Sequence, residues 1–258
     1  MRASKFLEEG LDPRVSALER RLSSIKLIAP VMSPKGGVGK TLISVMLSLA
    51  LTRRGIKVGL LDLDITNPTA HMVLGVDIEK TKPVEDEGII PPSAHGICFM
   101  TIAYYSGEEP LPLRGVEIDD VIKEVLTVTS WKELHVLLLD LPPGLSDEAL
   151  DILKFLKRAK PIVVTTPDAL ALNSAKKLLK LLQEGGVKPL GVIENMSSNV
   201  ASAEVKKLCE AHSVDLIGTI PFDSELRLCL GKVDSLLKTR VAKSIEAVAE
   251  NVLKKIPP

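Results

Sequence analysis

From residue 25 onward the chain alternates short, almost unbroken apolar runs with segments whose apolar residues recur at helical spacing. The runs at 26–32, 57–63, 97–103, 135–141, 161–166, 190–194 and 216–220 lack the in–out alternation of a strand with one wet face. They read as strands buried on both sides. Helical patterns fill 40–54, 117–130, 147–157, 170–184 and 203–212, and Gly55 and Gly185-Gly186 sit where helix C-caps belong. Repeated strand–helix–strand units predict an α/β fold, a mostly parallel twisted sheet in three layers with helices on both faces. In such a sheet, ligands bind beyond the C-terminal ends of the strands. Asp12-Pro13 followed by 14–22 predicts an N-capped short helix, so residues 1–24 form an arm, lid or sheet-edge cover ahead of one domain at 25–258. The C-terminal stretch 244–256 carries apolar residues at i, i+3, i+7, i+8 and i+11. Glu246 and Glu250 share its polar face, where a membrane-surface helix carries Lys and Arg, so packing on the sheet is expected.

The segment Ser33–Thr41, SPKGGVGKT, joins the first strand to its helix. Gly36, Gly37 and Gly39 lack Cβ, so the backbone can curl its N–H groups around an anion. Those groups, with Val38 between the glycines and the free amides of Lys40, Thr41 and Leu42 at the helix start, form a candidate phosphate cradle. In that chemistry Lys40 neutralises phosphate charge and the Thr41 hydroxyl holds Mg²⁺. The strict GxxxxGK[ST] pattern fails at one position, Pro34, and a lysine, Lys35, precedes the glycines. This variant resembles the deviant phosphate loop of the MinD/ParA superfamily, in which position 34 varies. The resemblance implies that Lys35 reaches across a dimer to the partner's nucleotide.

Two acids, Asp62 and Asp64, end the second strand at i and i+2 and so point the same way. The superfamily resemblance implies that Asp64 orients or deprotonates the attacking water, with Asp62 in a supporting or metal-shell role. Both acids could instead simply cap the following turn. Asp140 ends the fourth long strand in LLLDLPPG, the arrangement in which a carboxylate binds Mg²⁺ directly or through water. The stiff Pro142-Pro143 and permissive Gly144 suit a phosphate-sensing switch.

DLPPGLSDEAL at 140–150 resembles the Mrp-type ATPases, carriers or scaffolds for iron–sulfur clusters. LDLDITNPTAHMVLG after the second strand, PLRG at 112–115, TTPDALAL at 165–172, ENMS at 194–197 and IPFD at 220–223 match the same group. The resemblance covers residue 26 to the C-terminus. It implies a P-loop NTPase fold, ATP and ADP as ligands with Mg²⁺, and a homodimer formed through the nucleotide face. It further implies that Asn195 contacts the base and that Pro221 and Phe222 pack beside its ring. Such carriers usually follow ENMS with CPxC, whose thiolates bridge a cluster between subunits. Here 197–202 reads SSNVAS and runs straight into a helix. An iron–sulfur cluster is therefore not expected on this chain alone, and a cysteine-bearing assembly partner is. Cys98, Cys209 and Cys229 are far apart and read as buried core thiols.

Lysine plus arginine and aspartate plus glutamate both number 33, so no basic excess points to nucleic acid. No signal-peptide core or membrane-length apolar run is present, and the free thiols suit a reducing cytoplasm. The rival reading is a MinD/ParA-like regulator that positions a partner at a membrane or on DNA. A metabolic kinase or ligase on the same core is a weaker third, since no acceptor site is visible.

Overall fold

The computed structural model describes residues 13–107, 111, 113, 115–144, 147–198 and 200–257. Asp12 and the rest of 1–12, Pro112 and Arg114 of PLRG, Leu145 and Ser146 of the DLPPG stretch, and Asn199 lie outside the described residues. In chain order the elements begin with α1 (Pro13–Leu22), β1 (Leu27–Met32), α2 (Lys40–Arg53), β2 (Val58–Asp62) and α3 (Ala70–Leu74). There follow β3 (Val84–Glu85), β4 (Ile89–Ile90), β5 (Ser93–Ala94), β6 (Ile97–Thr101), α4 (Ala103–Ser106), α5 (Val116–Val128) and β7 (Val136–Asp140). The rest are α6 (Asp147–Phe155), β8 (Ile162–Thr165), α7 (Ala169–Glu184), β9 (Gly191–Ser197), α8 (Ala203–Ala211), β10 (Leu216–Pro221), α9 (Val233–Leu236) and α10 (Arg240–Leu253).

Eight strands form one sheet in the order β10-β9-β8-β1-β7-β2-β6-β5, parallel except where β5 pairs with β6. Every residue of β1, β2, β7 and β8 is buried, as the unbroken apolar runs require. Register sets Asp62 of β2 directly beside Asp140 of β7, and Val31 of β1 on the other flank of Asp140. All three strand ends therefore open onto the loop that leaves β1.

Helix α2 buries ten of its residues, from Lys40 to Leu51, because α10 covers one side and the sheet the other. Helix α10 buries Val241, Ile245, Val248 and Val252 and packs on β10 and α2, so the C-terminal helix covers the sheet. Gly218 admits it: a Cβ there would stand 2.2 Å from Val248 Cγ2. Its Glu246 and Glu250 accept hydrogen bonds from Arg54 at 2.9 and 3.0 Å. The helix starts at Arg240, four residues before the apolar pattern suggests, because the Thr239 hydroxyl caps it by accepting from the Ala242 amide at 3.2 Å. Helix α1 is seated on the fold, with Leu18 and Leu22 buried and Arg14 donating to Asp120 of α5.

The β3–β4 hairpin and antiparallel β5 were not expected, since two-residue strands are too short to show a period. The three cysteines divide: Cys209 is buried, but Cys98 and Cys229 are only half-buried, which corrects the reading of all three as core. Among the described residues no helix is long and apolar enough to cross a membrane.

Candidate functional site

The loop after β1 turns back on itself at two left-handed glycines, Gly37 (φ 80°) and Gly39 (φ 84°). Gly39 is the N-cap of α2, and no side chain caps this fourteen-residue helix. Its first-turn amides are thus left to an anion. Gly39 has a second reason to be glycine. Asn195 of β9, 5% exposed, lies under the loop and donates from Nδ2 to the Val38 carbonyl at 2.7 Å. A Cβ on Gly39 would stand 2.4 Å from that nitrogen. The residue expected to contact a base thus has its amide bound to the loop itself.

Behind the loop sits Asp140, wholly buried at the end of β7. Lys40 Nζ meets its Oδ1 at 2.7 Å, the Thr41 hydroxyl donates to Oδ2 at 2.7 Å, and the Ser44 hydroxyl donates to Oδ1 at 2.8 Å. Three donors satisfy one buried carboxylate, and the carboxylate in turn compensates a lysine that is itself 6% exposed. Ser44 was not anticipated. The signal for it is the spacing Lys40, Ser44, Ser48, a polar row at i+4 intervals in an otherwise apolar helix.

Asp62 is buried beside Asp140 and accepts from the amides of Asp64 at 3.2 Å and Ala70 at 3.0 Å. Burial, then the charge of Asp140, pushes its carboxyl up to about 7. Asp64 is half-buried and accepts from the Thr66 hydroxyl at 3.1 Å and the Asn67 amide at 3.2 Å. Burial raises its carboxyl too, against the pull of Lys40. Both acids therefore cap local backbone, and both feel Lys40 and Asp140.

Lys35 is exposed at the mouth of the loop. Asp168, the N-cap of α7, is held below the usual carboxylate range by the Thr166 hydroxyl first, then by the Ala171 amide, with Lys35 contributing. The DLPPG turn closes on the loop: the Gly144 amide donates to the Ser33 carbonyl at 2.9 Å, and Pro143 Cβ lies 4.0 Å from where a Cβ on Gly36 would be. Val38 is buried and Leu42 half-buried. Pro221 ends β10 in register with Ser197, and the amide of Phe222, whose ring is 61% exposed, donates to the Ser197 carbonyl at 3.0 Å. They flank Asn195 one strand over.

The structure thus gathers Lys40, Thr41, Asp62, Asp64 and Asp140 at one strand-end cluster, roofed by Gly36–Gly39. The donors are hard oxygens, Thr41 Oγ1, Ser44 Oγ and the two buried carboxylates, and this set fits Mg²⁺. Among the described residues no trio of His, Cys, Asp and Glu is poised to hold a metal by itself. A cation here depends on hydroxyls, water and phosphate oxygens, as Mg²⁺ does in phosphoryl-transfer sites.

Comparison with known proteins gives the family and the fold. The family model ParA, described as NUBPL iron-transfer P-loop NTPase, matches residues 24–257. A cytosolic Fe-S cluster assembly factor NUBP2 homolog from Monosiga brevicollis is 35% identical over 251 residues, covering 90% of this chain and 88% of that one. An iron-sulfur cluster carrier protein from Pseudomonas fragi is 34% identical over 220 residues, 80% of this chain and 76% of that one. Among solved structures, a nucleotide-binding protein from Archaeoglobus fulgidus in complex with ADP superposes with a TM-score of 0.72 at 28% identity, over 87% of this chain and 93% of that one. The cell division ATPase MinD of Pyrococcus furiosus shares the fold at a TM-score of 0.65 and 24% identity, over 90% of this chain and all of that one.

Proposed function

This chain belongs to the ParA-like family of iron-transfer P-loop NTPases, and from that membership we propose that it binds ATP with Mg²⁺ and hydrolyses it slowly as a homodimeric switch. Its output is iron–sulfur cluster assembly or transfer in the cytoplasm, alongside a partner that supplies cluster thiolates in place of the absent CxxC pair. The observation that carries the reading is the convergence of Lys40, Thr41 and Ser44 on buried Asp140 beneath a glycine loop whose helix is uncapped.

Each residue has a task in that chemistry. The amides from Gly36 to Leu42 bind phosphate oxygens. Lys40 exchanges Asp140 for the phosphate, which leaves Asp140 Oδ1 with the Ser44 hydroxyl alone. Thr41 would hold the cation, with Asp140 and Asp62 holding its water shell, and bound Mg²⁺ would supply neutralisation of phosphate charge. Asp64 orients the attacking water. Lys35, exposed at the loop mouth, stabilises charge on the phosphoryl group bound by the partner copy. Gly144 links that event to the DLPPG turn through its bond to Ser33. Asn195 sets the loop from below and, with Pro221 and Phe222, borders the base.

Replacing Lys35 with Ala tests the cross-subunit role. Phosphate release should fall to background while MgATP affinity changes less than about threefold, since the lysine serves the partner's transition state and not ground-state binding. Retained turnover in the variant would remove Lys35 from the chemistry.

A further inference from the structure

At the opposite end of the sheet from the glycine loop, where β1 and β8 begin and α6 and α7 end, lies a cavity of about 640 Å³. Its floor is apolar and includes Ile28, Leu153, Leu156 and Leu182, all buried. Its rim carries Lys26, Lys154, Lys157, Arg158, Lys160 and Lys188, and no acidic residue lines it. The whole chain has equal numbers of acids and bases, so this concentration of one sign is local. Part of the charge is already used. Arg158 donates to the carbonyls of Ser23 and Ile25, Lys154 pairs with Asp151, and Lys157 lies 3.9 Å from Glu19. Lys26, Lys160 and Lys188 have no carboxylate within ion-pair distance among the described residues.

A second cavity of about 350 Å³ adjoins the first, sharing Ile28, Leu156, Lys157 and Arg158 and adding Leu18, Leu22, Phe155 and one acid, Glu19, the partner of Lys157. The two make an open trough that runs past the C-terminal end of α6 from α1 toward α7. Apolar compartments in series under a cationic rim suit an extended chain that drops successive apolar side chains and presents acids between them. Nucleic acid is a poor match, since the floor is leucine and offers no exposed aromatic face for bases to stack on. A membrane surface is a poor match too. It takes protruding apolar side chains, and those among the described residues, Met72, Leu170, Phe222 and Leu228 the most prominent of the large ones, are elsewhere.

We propose that this trough docks an acidic, leucine- or phenylalanine-bearing peptide segment of a partner protein. The site goes beyond the nucleotide reading and does not rest on it. Because it lies at the far end of the sheet, its occupant can stay bound while the nucleotide face opens and closes.

The test uses the full chain and a short fluorescein-labelled peptide in which Leu and Phe alternate with Glu and Asp, read by anisotropy at low salt. Saturable binding is expected, weakened at least about tenfold in K26E/K160E/K188E and lost progressively with added salt. Circular dichroism should show the variant folded and its nucleotide binding unchanged, because these lysines are remote from the loop. Val187→Asp, which places a charge on the lining, should weaken the peptide as well. Absence of saturable binding would overturn the proposal, as would equal binding by the lysine variant. A peptide with Gly for every Leu and Phe binding equally well would reduce the trough to a polyanion patch and also overturn it. Two further results would reassign it: lysine-dependent capture by phosphatidylglycerol vesicles without peptide binding, or displacement of the probe by a synthetic copy of residues 1–12 at lower concentration than by the unlabelled probe.

Discussion

Gly39 and Asn195 should be energetically coupled, and the structure sets the size of the effect. Alanine at position 39 has to hold φ near 84°, which costs an L-residue about 1–2 kcal/mol. Its Cβ would also meet Asn195 Nδ2 at 2.4 Å, so the amide must leave the Val38 carbonyl. A buried acceptor stripped of its partner costs about 1–3 kcal/mol. Gly39→Ala alone should therefore destabilise the nucleotide-free protein by about 2–5 kcal/mol. Asn195→Ala alone should cost about 1–3 kcal/mol by losing the same hydrogen bond. In the double variant the collision is gone and the hydrogen bond is already lost. Adding Gly39→Ala to Asn195→Ala should then cost only the backbone strain, about 1–2 kcal/mol. The cycle is read by urea unfolding, followed by circular dichroism and by the single tryptophan, Trp131, which is 2% exposed. Additive losses, within about 0.5 kcal/mol, would refute the claim that Asn195 props the loop.

Two other outcomes follow from the same geometry. Burial, then the charge of Asp140, pushes the Asp62 carboxyl up to about 7 in the folded chain, against about 3.9 when unfolded. The folded state thus holds the extra proton between those values, and stability drains away as pH climbs through them. Asp62→Asn should flatten that slope by up to about 1.4 kcal/mol per pH unit in nucleotide-free protein, and parallel curves for the two proteins would show that Asp62 carries no such cost. The thiols make a separate prediction. Burial first, then Glu194, Asp215 and Glu210, pushes the Cys209 thiol up to about 11, Cys98 and Cys229 are free thiols, and among the described residues no trio of His, Cys, Asp and Glu is placed to hold a metal. Anaerobic reconstitution with iron and sulfide should leave the purified chain colourless, whereas a stoichiometric visible chromophore per dimer would mean that this chain does hold a cluster.

The sheet was legible because its central strands are buried on both faces, and such strands need apolar residues at every position. The position of the two acids was legible for a related reason. Asp62 and Asp140 break those apolar runs at the last residues of β2 and β7, at the end of a parallel sheet where ligands bind. Gly37 and Gly39 were legible as a loop, but the second constraint on Gly39 was not. It comes from Asn195, 157 residues away from Val38, and no local pattern encodes that contact. Ser44 was missed because the polar row Lys40, Ser44, Ser48 marks a face of α2 but not what that face meets. Its partner appears only once β7 places Asp140 against that face. The exposure of Cys98 and Cys229 was misjudged for the same reason, since burial of a small apolar side chain is decided by which elements cover it.

Equilibrium binding of ATP to the purified chain, with and without Mg²⁺ and with Lys40→Ala alongside, tests the central claim most directly. One nucleotide should bind per chain, tightly only with the cation present, and at least about a hundredfold more weakly once the Lys40 charge is gone. Affinity that ignores both magnesium and Lys40 would contradict the assignment of the glycine loop and Asp140 as a triphosphate site.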